Sequence, residues 1–152
     1  MMIFLTRCQG YRIQVLMFCF KELINKYRDK DFKRGVSDCL SLSTDYFLSK
    51  YPGCKLPDLR NSFSNLKEAI KVAKENKWHL ELPRAFKIKK SSNYFRGAEF
   101  AADKESPVGS SALIYKGEAY TFLEDSKLSI FSYKLLPIVA KEIIFYQILE
   151  VK

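Results

Sequence analysis

The amino-acid sequence predicts an α+β fold in which N-terminal helices pack on an antiparallel β-sheet. Apolar residues recur at helical spacing through the first half of the chain, and from Ala98 onward they fall in short alternating runs typical of strands. The 152 residues are 47% hydrophobic and 14% aromatic, which is enough for one domain with a core and too little for two. We therefore expect a single domain over residues 1–152, in which residues 1–10 could form a flexible N-terminal extension.

Three helices are expected before the sheet, because apolar side chains in three segments share one helical face. The second helix can be capped by Ser37 or Asp38, whose side-chain oxygen would accept a hydrogen bond from a free N–H group at the helix start. Ser62 or Ser64 can cap the third in the same way. The predicted ranges are Tyr11 to Tyr27, Ser37 or Asp38 to about Lys50, and Asn61 to Trp78.

A basic, loop-like segment from Pro83 to Arg96 follows the helices, and five strands are predicted after it. Each strand is a short run rich in alternating apolar residues. Lys116-Gly117-Glu118, between the second and third strands, is typical of a hairpin turn. The predicted strands are Ala98 to Ala102, Ser111 to Lys116, Ala119 to Leu123, Leu128 to Ser132 and Glu142 to Leu149.

The charge and the cysteines exclude few functions. The formal charge of +9 is spread along the chain, which is compatible with nucleic acid, a membrane surface or acidic partners without selecting one of them. Four cysteines without a C-x-x-C pair, beside a single histidine, provide no zinc set, and we expect free thiols, no metal and no cofactor. These residues are Cys8, Cys19, Cys39, Cys54 and His79. No run reaches the roughly 18 apolar residues of a membrane-spanning helix.

Cys39 follows Asp38 at the head of the second predicted helix, where the helix dipole and free N–H groups can stabilise a thiolate nucleophile. The segment Phe32-Lys33-Arg34-Gly35-Val36-Ser37-Asp38-Cys39 contains an aromatic residue, a glycine and then Asp-Cys. This pattern resembles the NlpC-like branch of the papain-like cysteine hydrolases, and more narrowly a small tail-associated group from phages and prophages. The similarity spans about Tyr11 to the C-terminus and includes positions that match Arg60, Phe63 and Gly97.

The resemblance implies an NlpC-like papain fold in which a histidine on a facing strand exchanges the proton of the cysteine. In this sequence the matching position is Ser110 or Ser111, and a serine cannot act as a base near neutral pH. The third, orienting polar group would come from the next strand, where Thr121 is the only small polar candidate. His79 follows the third predicted helix and is interpreted as a residue without a chemical role, because a base must lie within hydrogen-bonding reach of its nucleophile.

A second candidate site interleaves basic and aromatic residues after the third helix. Such a segment could follow phosphates and stack on bases. It could equally be an exposed edge strand or loop whose lysines prevent unwanted strand pairing. We favour the edge or loop because no nucleic-acid-binding motif accompanies the segment. Its basic residues are Arg84, Lys87, Lys89, Lys90 and Arg96.

Three functions are considered on this basis. The first is a structural or assembly component of the tail tip, or baseplate, of a tailed phage or prophage, in which the hydrolase fold has lost its activity and Cys39 is a relic. Its partners would be other tail-tip and hub proteins, and its location the virion tail, after assembly in the host cytoplasm. The second is an active cysteine peptidase or amidase that cleaves peptidoglycan during phage entry. The third, and least favoured, is a basic accessory domain that binds nucleic acid.

Overall fold

A computed structural model of the chain describes residues 4–6, 11–13 and 17–152, the first two ranges by their backbone alone. Within these residues the architecture is α+β with an antiparallel sheet, as the sequence predicts; the sheet has six strands instead of five, and there are five α-helices instead of three. Two further strands, β1 (Phe4–Thr6) and β2 (Tyr11–Ile13), pair with each other in a separate antiparallel sheet. The predicted N-terminal extension therefore includes a strand, and its other residues lie outside the described ranges.

The helices differ from the predictions at four places. The first helix begins at Phe20, because residues 11–13 are a strand. The third begins after Asn65, whose side chain accepts a hydrogen bond from the N–H of Glu68 at 2.9 Å, so Asn65 is the cap instead of Ser62 or Ser64. A fourth helix, absent from the predictions, begins at Trp78 and ends inside the segment expected to be a loop, which continues as a strand over Phe86–Ser91. A short fifth helix at Leu136–Val139 is not predicted either. The bounds are α1 Phe20–Tyr27, α2 Cys39–Lys50, α3 Leu66–Glu75, α4 Trp78–Ala85 and α5 Leu136–Val139.

The main sheet has the strand order β3-β8-β4-β5-β6-β7, and every neighbouring pair is antiparallel. Strands β3 and β7 therefore form its two edges. A two-residue turn at Lys116 and Gly117, both with positive φ, joins β5 to β6, as the hairpin prediction required. The bounds are β3 Phe86–Ser91, β4 Phe100–Asp103, β5 Ser111–Tyr115, β6 Glu118–Phe122, β7 Leu128–Ser132 and β8 Ile143–Val151.

The larger of two apolar cores lies between the helices and the sheet. Helix α2 runs through it, and the ring of Phe47 packs edge-on against Phe100 of β4, with ring centroids 4.9 Å apart. The ring of Trp78, at the start of α4, packs against the same Phe100 at 5.3 Å. A smaller core on the opposite face of the sheet contains Leu136 of α5. This arrangement places the first turn of α2 beside the start of β5.

Asp45 is a buried carboxylate in the middle of α2, with 2% of its surface exposed. It accepts hydrogen bonds from Lys26 Nζ at 2.9 Å, Tyr27 Oη at 2.8 Å and Ser49 Oγ at 2.8 Å, and Arg60 Nη1 lies 3.4 Å away. Burial disfavours the charged carboxylate, but the hydrogen bonds outweigh that cost and lower its pKa. Asp45 therefore joins α1 and the segment that contains Arg60 to the central helix.

Candidate functional site

The turn before Cys39 depends on Gly35 and Asp38. Gly35 has φ +82°, and a Cβ atom at this position would lie 1.9 Å from the carbonyl oxygen of Phe63, so no side chain fits there. The carboxylate of Asp38 accepts hydrogen bonds from the N–H of Gly35 at 3.0 Å and from the N–H of Ser41 at 2.8 Å. Asp38 thus closes the turn and caps α2. Both motif residues have a structural task that does not depend on any chemistry at Cys39.

Cys39 is the first residue of α2 and is half-buried. It lines a small cavity of about 90 Å³, which Phe63 and Phe122 also line. The guanidinium group of Arg34 borders this cavity and forms an ion pair with Glu124 at 2.9 Å. The space beside the sulfur is therefore small and partly aromatic.

The thiol of Cys39 is held in its protonated form. Burial and, next, the carboxylate of Asp38 raise its pKa to about 11, and nearby backbone N–H groups, including that of Ser111, offset this only in part. At pH 7 a pKa of about 11 leaves about one molecule in ten thousand as thiolate. The helix start alone does not activate this cysteine.

Ser111 lies against Cys39, at the strand position that the resemblance assigns to the base. Its hydroxyl is 2.7 Å from Ser43 Oγ of α2 and 3.5 Å from the carbonyl oxygen of Cys39. Ser110, the other matching residue, lines the cavity, and its hydroxyl accepts a hydrogen bond from Ser106 Oγ at 2.8 Å. The structure thus brings the predicted residues together, and hydroxyl groups surround the place where a base would act.

Thr121 does not lie where an orienting group would have to lie. Its hydroxyl donates to the carbonyl oxygen of Ser111 at 2.7 Å, and its side chain shares a strand face with Ala119, which packs in the smaller core. Alternate residues of a strand point to opposite faces, so the helix-facing neighbour is the aromatic residue Phe122. The prediction for Thr121 is wrong, because its side chain points to the face of the sheet opposite α2. Its hydroxyl instead links β6 to β5 by a hydrogen bond.

His79 lies in a different part of the fold. It belongs to the first turn of α4 and lines two cavities together with Lys104 and Tyr146, neither of which includes Cys39. Burial, followed by the positive charges of Lys104 and other lysines, lowers the pKa of the imidazole. Because the chain has a single histidine, Cys39 has no imidazole of its own chain as a partner.

The basic residues after the third helix divide between two faces. Strand β3 is an edge strand, as favoured from the sequence, and its alternation separates Lys90, which lines a cavity beside His79, from Lys87 and Lys89 on the opposite face. The other two candidates lie outside the strand: Arg84 of α4 forms an ion pair with Glu81 at 3.1 Å, and Arg96 is exposed in a loop. These residues do not form one continuous basic track.

The cysteines correct one expectation. Cys39 and Cys54 carry free thiols, whereas Cys19 is disulfide-bonded, so the expectation of four free thiols is wrong for Cys19. Residue spacing does not reveal which sulfur atoms the fold brings within bonding distance. Cys8 lies outside the described residues.

The described part of the chain contains no group of three metal-ligating side chains, and none of its helices has the length and apolarity to span a membrane.

No family model, curated protein or solved structure matches this chain. The likeness to the NlpC-like group therefore stays a prediction from the residues around Cys39.

Proposed function

We propose that this chain is a non-hydrolytic domain with an NlpC-like papain fold, which serves as a structural component of the tail tip or baseplate of a tailed phage or prophage. The observation that carries the proposal is that the Cys39 thiol lies beside the backbone N–H of Ser111, the strand position of the base, where this chain has a serine. A fold that keeps this arrangement but lacks a proton acceptor supports a structural role, in which the chain acts by binding neighbouring proteins.

The energetics of the thiol support the loss of hydrolysis. Forming the Cys39 thiolate at pH 7 from a pKa of about 11 costs about 5 kcal/mol, which corresponds to a rate about 10⁴-fold below that of a fully ionised thiol. A general base contributes about 10²- to 10⁴-fold, and neither Ser111 nor Ser43 can supply that contribution. Both requirements for nucleophilic attack are therefore unmet.

The two sheet edges support a contact with another subunit at β7. Strand β3 carries three lysines, which protect an edge from pairing, whereas β7 has no charged side chain and Ile130 on it is 42% exposed. An uncharged free edge can accept an extended segment of a partner as an additional strand. Among the described residues, β7 is therefore the edge that a neighbouring subunit could extend.

Exposed apolar side chains follow β7 directly in the chain. Ile138 of α5 is 78% exposed, and Leu135 and Val139 beside it are about half exposed. A group of apolar side chains on the surface marks a site of protein contact. We assign the edge of β7 and the exposed side of α5 as the face that would contact a neighbouring tail subunit.

Labelling of particles tests this function. Virions from the phage or induced prophage that carries the gene are incubated with a gold-labelled antibody against the chain and viewed by electron microscopy. Label is expected at the distal end of the tail, and particles carrying C39A are expected to assemble and infect like the wild type. Absence of label from the particle overturns the location, and normal assembly with lost infection in C39A overturns the non-hydrolytic role.

A further inference from the structure

Two cavities meet at the start of α4, away from Cys39. One, of about 250 Å³, lies between α3, α4 and the end of β4, and the other, of about 340 Å³, lies between the start of α4 and strands β3 and β8. They share three lining residues, His79, Lys104 and Tyr146, and we call them together the α4 cleft. Nothing in the proposed function uses this cleft.

The α4 cleft carries an excess of positive charge. Its lysines are Lys74, Lys77, Lys90 and Lys104. Asp103, the single acidic residue of the lining, has its carboxylate engaged by the backbone N–H groups of Glu105, Lys141 and Glu142 at 3.0 to 3.2 Å.

Few other acidic groups neutralise the charge of these lysines. Glu142 is 3.9 Å from Lys104 through an exposed pair, which is a weak interaction. Within the described part of the chain, Lys74, Lys77 and Lys90 have no carboxylate in salt-bridge range. The cleft therefore favours an anion.

Tyr146, which lines both cavities, carries an unused hydrogen-bond donor. Its side chain is 1% exposed, and its hydroxyl has no hydrogen-bond partner among the described residues. Burial raises the pKa of the phenol to about 12, so the hydroxyl keeps its proton at neutral pH. A buried hydroxyl without a partner is destabilising, and an acceptor oxygen bound in the cleft would remove that penalty.

The start of α4 adds backbone donors on the same side. Lys77 is the N-cap residue but gives no side-chain hydrogen bond to the first turn, and Trp78 and His79 of that turn line the cleft. The first N–H groups of a helix lack partners within the helix, and the helix dipole is positive at this end. Helix starts of this kind bind phosphates.

We propose that the α4 cleft binds the phosphate group of a phosphorylated small molecule. Lys77, Lys90 and Lys104 supply the charge, and the hydroxyl of Tyr146 and the start of α4 supply directed donors. Phosphate fits better than carboxylate because the donors surround the cleft on several sides, and a phosphate presents more acceptor oxygens. A small molecule fits better than a nucleic acid because the lysines border two cavities of about 250 and 340 Å³, whereas a polymer follows a long basic groove.

The single histidine makes the proposal testable by NMR. The imidazole signals of His79 are followed while inorganic phosphate or adenosine monophosphate is added, with sodium chloride at matched ionic strength as the reference titration. Saturable shifts and a rise in the pKa of His79 are expected, because a bound anion favours the imidazolium form. Equal shifts with chloride overturn the proposal, as does binding of an oligonucleotide when neither small phosphate compound binds.

Three variants locate the binding. K104Q is expected to weaken phosphate binding by about five- to ten-fold, and Y146F by about five-fold, because each removes a donor to a charged group. K87Q serves as the matched control, since Lys87 is exposed on the other face of β3 and should leave the affinity unchanged. Equal losses in K104Q and K87Q, or wild-type affinity in Y146F, contradict the site as proposed.

Amide spectra establish first that each variant is folded. If Y146F does not fold, K104Q against K87Q decides the result, because both lysines are on the surface. If adenosine monophosphate binds more tightly than inorganic phosphate with the same dependence on Lys104, the remainder of the molecule also contacts the cleft. Equal affinities show recognition of the phosphate group alone. None of these outcomes depends on the tail-tip role, and that role can fail while the cleft still binds phosphate.

Discussion

The hydroxyl of Ser111 lies 3.5 Å from the backbone carbonyl oxygen of Cys39, so the side chain at the start of β5 is directed at the first turn of α2. Ser43, one turn further along the helix, meets the same hydroxyl at 2.7 Å. The junction between helix and strand is thus closed by paired hydroxyl groups. This pairing places next to the cysteine groups that cannot accept its proton near neutral pH.

The first prediction concerns the reactivity of Cys39. In a C54A background, where Cys39 is the remaining free thiol of the described residues, the rate of alkylation by iodoacetamide should rise about ten-fold per pH unit from pH 7 to pH 10. The reason is that burial and the Asp38 carboxylate hold the thiol pKa at about 11. A rate that levels off below pH 8 would show an activated nucleophile and contradict the prediction.

D38N provides the matched variant for this measurement. Asparagine is also a good N-cap, so its amide oxygen can keep the hydrogen bond from the Ser41 N–H while the charge next to the sulfur is removed; the hydrogen bond from the Gly35 N–H is lost. Since the Asp38 carboxylate raises the thiol pKa, D38N should lower that pKa and speed alkylation at pH 8. An unchanged profile would assign the high pKa to burial alone.

The second prediction concerns the turn at Gly35. G35A is expected to lower the free energy of unfolding by about 3 kcal/mol or more, because the new Cβ would both strain a positive φ and collide with the Phe63 carbonyl. Gly53 has the same φ of +82°, but a Cβ added there would meet no atom within 4 Å, so G53A should cost only about 1 kcal/mol. Urea unfolding of both variants separates the collision from the strain. Equal losses would show that the contact with Phe63 relaxes at no cost.

The third prediction concerns pH and Asp45. Its pKa is lowered in the folded state, so its contribution to stability is complete above the ordinary carboxyl pKa of about 4 and is lost as the pH falls through the lower folded value. D45N should cost about 2 kcal/mol at pH 7 and progressively less below pH 4. D31N, at a side chain that is 91% exposed, is the control and should change stability by less than about 0.5 kcal/mol. A loss in D45N that is the same at pH 7 and pH 3 would contradict this account.

The sequence predicts the strands after Ala98 well because their pattern is local, whereas β2 lies in a segment predicted to be helical and β3 in one predicted to be loop-like. Strand β7 is found at its predicted bounds, and β5 and β6 begin or end within one residue of theirs. The cap at Asp38 is also predictable, since an aspartate directly before a helix is a preferred N-cap residue. Helix α4 is harder to predict, because Pro83 in the sequence indicates a break and the helix nevertheless continues through it to Ala85.

The sequence predicts which residues meet at the site better than it predicts which way their side chains face. Cys39 and Ser111 lie close together because the first turn of α2 packs against the first residue of β5. The facing of Thr121 is wrong because a shift of one residue along a strand changes the face, and no local signal fixes that register. Asp45 is missed as a buried group because α2 is surrounded by other elements on nearly all sides, which the spacing of its apolar residues does not reveal.

The fourth prediction concerns the proposed contact face at β7 and α5. I138D should leave the stability of the isolated chain within about 0.5 kcal/mol of the wild type, because Ile138 is 78% exposed. When the chain is co-expressed with tail-tip proteins, the partners that the proposed function requires, the same change should weaken their co-purification by about ten-fold or more, since a charge is then buried in an apolar contact. L80D is the matched control, because Leu80 is a half-exposed leucine on α4, away from this face. Equal recovery of I138D and L80D would exclude α5 from the interface.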